Sequence, residues 1–154
     1  MMQVSEISTS TLYDRDFQLW LQETIRQLKT NEWNALDRHN LIEELASMGR
    51  SEKRELKSRL IVLLVHLLKW KYQEDKRSKS WLSTIREQRR QIDFLLTDSP
   101  SLKPLYLKIL RECYDYARED AAEETELAIE MFPHKFPFTS EEVLNSDFLS
   151  QGEK

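Results

Sequence analysis

The stretch LIVLLVHLLKW, residues 60–70, sets a histidine and a lysine into otherwise continuous hydrocarbon. Its apolar run is far shorter than the roughly 20 residues a bilayer-spanning helix needs, and Arg54, Lys57 and Arg59 crowd its near end. It predicts a buried helix. With Leu56 as origin and about 100° per residue, Leu60, Leu63 and Leu67 point one way, and Ile61, Leu64, Val65 and Leu68 carry the apolar arc past half the circumference. A helix apolar around most of its girth belongs at the centre of a helical fold. His66 falls outside that arc, on a narrow stripe with Glu52, Arg59 and Gln73. This assigns it to a polar seam, with a carboxylate on another helix, Glu44 or Asp120, as the expected partner.

Working outward, the rest of the chain also reads as helix. Apolar residues make up 40% and charged residues 32% of the 154 positions, with two glycines and four prolines, which suits long amphipathic helices better than strands joined by tight turns. Upstream, Tyr13, Phe17, Trp20, Leu21, Ile25 and Leu28 line one face of a helix from Leu12 to about Lys29, started by Thr11 with Asp14. Asp37 caps a second helix with Leu41, Ile42, Leu45 and Met48 on one side; a kink or short break is expected at Gly49 and Arg50 before it resumes to about Tyr72. Downstream, Ser78 or Ser80 caps a helix to about Leu96. Ser101 caps another from Leu102 to about Met131, with Pro104 in its first turn. Thr139 and Glu142 form the reciprocal capping pattern of a short last helix.

The expected fold is therefore an all-α, single-domain antiparallel bundle of about five helices around a nearly all-apolar central one. The domain spans 11–150, with flexible ends at 1–10 and 151–154. One cysteine, Cys113, allows no internal disulfide, and MMQVSEISTS lacks the basic start and apolar stretch of a secretory signal, so a cytoplasmic protein without membrane attachment is expected.

With these segments in place, the chain resembles the bacterial, largely cyanobacterial, domain-of-unknown-function family twenty-nine. The resemblance rests on YDRDFQLWL, LIEELASMGRSEKRELKSRL, VHLLKWKYQ, SWLSTIREQRRQI, DSPSLKP, AREDAAEETEL and FPHKFPF, and covers residues 13 to about 148. It implies an all-helical domain and no settled activity, so it carries over no catalytic residues.

Charge is segregated. Residues 69–90 hold eight basic and three acidic side chains, whereas 112–154 hold three basic and twelve acidic ones. Lys69, Lys71, Lys76, Arg77, Lys79, Arg86, Arg89 and Arg90 surround Trp70, Tyr72 and Trp81, and such a mixture can hold phosphates and stack bases. Internal compensation by the acidic C-terminal helix is the simpler expectation. Asp120 and Glu124 fall on an inward stripe in the frame set by Cys113 and Leu127, where carboxylates need partners. Pairing with arginines at the edges of apolar faces, such as Arg54, Arg59 and Arg89, serves them better than metal, because the paired Glu-x-x-His of carboxylate-bridged bundles is missing.

Cys113 sits among apolar neighbours as a structural thiol. Glycine-rich phosphate loops, nucleophile elbows and paired-cysteine zinc patterns are absent from the sequence. Trp33, in the polar connection TNEWNALD, is a candidate contact residue. These features point to a non-catalytic protein-interaction domain that needs no cofactor, with a protein partner or a second copy as its target. A nucleic-acid-associated accessory protein using 69–90 ranks second. A metal-dependent hydrolase on His66, Glu44 and Asp120 ranks third. The candidate polar seam is His66, Arg59, Glu44, Asp120 and Glu124; the candidate surface is Lys69, Lys71, Lys76, Arg77, Lys79, Arg86, Arg90 and Trp33.

Overall fold

The structure, a computed structural model, describes residues 9–149. The flexible ends expected at 1–10 and 151–154 lie outside the described residues, except for Thr9 and Ser10, which open the first helix. The fold is all-α. Among the described residues there are six α-helices and no strand: α1 (Thr9–Arg15), α2 (Phe17–Lys29), α3 (Arg38–Tyr72), α4 (Lys79–Asp98), α5 (Lys103–Thr125) and α6 (Ser140–Leu144). The chain divides into two compact units, one ending at Ser51 and the other beginning at Glu52.

In the first unit, the single helix expected over 12–29 is two. Asp16 leaves helical geometry and its side chain accepts from the Leu19 amide at 3.0 Å, so it caps α2 and ends α1. A short acid that satisfies an otherwise orphaned amide here outweighs unbroken apolar periodicity. Trp20 is fully buried, with Tyr13 edge-on at 5.0 Å and Phe17 stacked at 5.7 Å. Its indole N–H donates to Asp37 at 3.1 Å. The other oxygen of that carboxylate accepts from the Asn40 amide at the start of α3, as the capping pattern predicts.

The break expected at Gly49 is absent, since α3 is one helix of 35 residues. One glycine costs about 1 kcal/mol of helix propensity, whereas breaking a helix orphans several amides and carbonyls. Arg50 also pairs with Glu43 at 2.7 Å, two turns back across Gly49.

In the second unit, α3 supplies Leu56, Leu60, Leu63, Leu64, Val65, Leu67, Leu68 and Trp70 to the core, while Val62 is exposed and Ile61 and His66 are half-buried. α4 adds Ile85, Ile92 and Leu96, and α5 adds Tyr106, Leu110, Cys113, Tyr114, Ala117 and Ala121. Ser78 caps α4, accepting from the Trp81 amide at 3.2 Å. α5 begins one residue later than expected, with Leu102 rather than Ser101 at its cap position and Pro104 in its first turn.

α5 also ends at Thr125, short of Met131, with Glu126 in the left-handed region at φ 59°. Glu119, Asp120, Glu123 and Glu124 crowd its last turns, and its final turn holds no basic residue. Negative charge there opposes the helix dipole, and the Thr125 hydroxyl bonds back to Ala121 O at 2.7 Å.

The chain after α5 does more than break a helix. Phe132 and Phe138 are core residues, and Phe132 meets Tyr72 edge-on at 5.9 Å. The carbonyls of this returning segment are satisfied by side chains from the helices: Arg118 donates to Phe132 O at 2.9 Å, Tyr106 to Ser140 O at 2.7 Å, and Tyr114 to Pro133 O. The expected reciprocal cap of α6 forms, with Thr139 accepting from the Glu142 amide at 3.0 Å and Glu142 from the Thr139 amide at 2.9 Å.

Candidate interaction surface

Of the apolar residues that mark the first half of α3 as amphipathic, Leu41 is half-buried and the other three are exposed. Ile42, Leu45 and Met48, three apart and therefore on one side of the helix, are 62%, 59% and 67% exposed. The sequence pattern marks them as a packing face; the structure leaves them in solvent. In the same unit Trp33 is 55% exposed on a short 3-10 turn, Trp33–Ala35, and Ile25 and Leu28 of α2 are exposed as well. Scattered apolar side chains on a surface mean little, but a contiguous helical stripe marks an interaction site.

Of the expected polar seam, Glu124 lies close enough to His66 to act on its charge, but the histidine's hydrogen bond goes elsewhere. His66 Nδ1 lies 2.9 Å from Val62 O, one turn back on its own helix. A carbonyl only accepts, so Nδ1 carries the proton and the bond needs no carboxylate. Burial lowers the imidazole pKa, as does Lys69, against the raising effects of the Val62 carbonyl and Glu124. Glu44 accepts instead from the Tyr13 hydroxyl, whose own pKa is raised to about 12 chiefly by that bond. Arg59 pairs with Glu55 at 2.8 Å and reaches Gln88 at 3.3 Å.

Asp120 is exposed rather than inward. The frame that placed it inward ran through Leu127, but α5 ends before Leu127, and its buried stripe passes through Ala117 and Ala121. Glu124 does find a base, Lys69, at 3.2 Å. No three His, Cys, Asp or Glu side chains gather as a metal-holding group among the described residues.

The basic segment is largely engaged within its own unit. Lys69 is buried against Glu124 and lies over the Trp81 ring at 5.0 Å. Lys71 lies over the Phe138 ring at 5.4 Å, and Arg77 stacks on Trp70 at 4.8 Å while donating to Trp70 O at 2.7 Å. Arg90 pairs with Glu87 at 2.9 Å. Lys76, Lys79 and Arg86 make no hydrogen bond or ion pair among the described residues. Arg89, part of the basic run and expected at the edge of an apolar face, is 7% exposed, and it donates to three backbone carbonyls rather than to a carboxylate.

The described residues thus define an all-α chain with an exposed apolar helix face. The chain belongs to the family described as domain of unknown function DUF29, which it matches over residues 12–149. Comparison with curated proteins and with solved structures gives no match. Among the described residues, no helix is long and apolar enough to cross a membrane.

Proposed function

We propose that this protein is a non-catalytic interaction domain that self-associates through the first half of α3. The observation that carries the reading is the exposed stripe Ile42, Leu45 and Met48. A two-fold pairing of antiparallel α3 helices centred on Leu45 lays Ile42 of one copy on Met48 of the other. The stripe is thus its own complement, as an isologous interface requires. Burying large apolar side chains stabilises by about 1.5–3 kcal/mol each, so a few such pairs offset much of the cost of association. Trp33, Ile25 and Leu28 are further exposed apolar area in the same unit. A reducing cytoplasm suits Cys113, a lone buried thiol.

The test is a Leu45→Cys variant in a Cys113→Ser background under mild oxidation. Near a two-fold axis the two sulfurs come within disulfide reach, so a cross-linked dimer is expected, while the same change at exposed Lys53 gives none. Equal cross-linking at both positions, or none at either, would count against the pairing.

A further inference from the structure

A cleft of about 480 Å³ opens along α4 against the turn that follows α6. Leu82, Ile85, Leu144 and Phe148 give it an apolar floor, and Arg86, Arg89, Arg90 and Asp93 line it as well. That volume falls within the range of small-ligand pockets, which combine apolar walls with a few placed polar groups.

Arg89 is the unusual member. Its Nε and two terminal nitrogens donate to Val143 O at 2.9 Å, Phe148 O at 3.1 Å and Glu142 O at 3.1 Å. A guanidinium has five N–H donors, so these bonds leave donors to spare. Carbonyls satisfy hydrogen-bonding capacity without neutralising charge, and no carboxylate pairs with Arg89 among the described residues. Burial pushes its pKa down to about 10, so it remains cationic at neutral pH with its charge uncompensated. A buried cation of this kind is costly until an anion reaches it. Arg86, beside it on the cleft, also lacks a partner among the described residues, whereas Arg90 is held by Glu87. Asp93 lies one turn beyond Arg89 and repels an anion from that end, leaving the Arg86 end as the place for negative charge.

We propose that this cleft binds a small amphiphilic carboxylate, its apolar body on Leu82, Ile85 and Phe148 and its carboxylate between Arg86 and Arg89. The site is independent of the α3 stripe, and neither stands or falls with the other. A flat acidic peptide surface is disfavoured because the feature is concave and its anchoring charge is buried.

Calorimetric titration with decanoate tests it, with decanol as the uncharged control. Replacing Arg89 would also release the turn after α6, so Arg86 carries the mutational arm. Decanoate is expected to bind one per chain, about tenfold or more tighter than decanol. Arg86→Ala should lose about tenfold and Arg86→Lys should recover part of it, with thermal unfolding unchanged in both. No binding at about 1 mM, equal affinity for decanol, or an unaffected Arg86→Ala would overturn the assignment. So would an acidic apolar peptide that binds where decanoate does not.

Discussion

Cys113 and His66 each carry a reactive side chain, and each is bonded to a backbone carbonyl of α3. Burial pushes the Cys113 thiol up to about 11, with Lys57 acting against it. Among the described residues its side chain makes one weak donation, to Lys57 O at 3.9 Å. An aromatic disulfide reagent at mildly alkaline pH should label the folded protein about a hundredfold more slowly than the unfolded one; comparable rates would mean an activated or accessible thiol. For His66 the sign is set by burial, which makes the neutral ring the form favoured by the fold. Stability is then full above the unfolded value of about 6.5 and falls as pH drops through it towards the lower native value. His66→Gln should flatten that part of the profile of unfolding temperature against pH. An unchanged slope would put the acid sensitivity on other groups. The neutral seam histidine was half legible: helical phase set it at the edge of the apolar arc, but its partner is a backbone carbonyl, which phase does not reveal.

At the scale of the element, caps and breaks decide more than apolar period does. The period of Tyr13, Phe17, Trp20 and Leu21 runs straight through Asp16, yet the chain breaks there because a side-chain acceptor meets the amide of Leu19. Removing that acceptor with Asp16→Ala should cost about 1 kcal/mol, read as a lower unfolding midpoint in denaturant with an unchanged slope. Gly49 teaches the converse. A methyl group added there meets nothing within 4 Å, and the residue lies inside α3, so Gly49→Ala should stabilise by about 1 kcal/mol. A loss of stability would show that the glycine serves close packing. The early end of α5 makes a third case, because Glu126 holds a positive φ that favours glycine. Glu126→Gly should raise the unfolding temperature, and a drop would locate a needed contact in the glutamate side chain.

For the molecule as a whole, the helices were legible and their exposure was not. Apolar residues recur every three or four positions in α2, α3, α4 and α5, and that periodicity carries the all-α fold. A stripe such as Ile42, Leu45 and Met48 has the same period whether its own chain or another copy covers it, so sequence alone reads it as core. For Arg89, expected at the edge of an apolar face, the partners were the part not legible. It stands in a basic run, and only the return of residues 142–148 brings it three carbonyls to bind. The long-range aromatic packing of Phe132 and Phe138 is equally invisible in a segment whose prolines announce a break. What periodicity cannot show is which faces meet, and the proposed self-association rests on a face left unmet.

Sedimentation equilibrium of the wild-type chain beside Leu45→Glu tests that claim most directly. A reversible, concentration-dependent dimer is expected for the wild type and a monomer of unchanged helical content for the variant. A wild-type chain that stays monomeric across the micromolar range, or a variant that still dimerises, would contradict it.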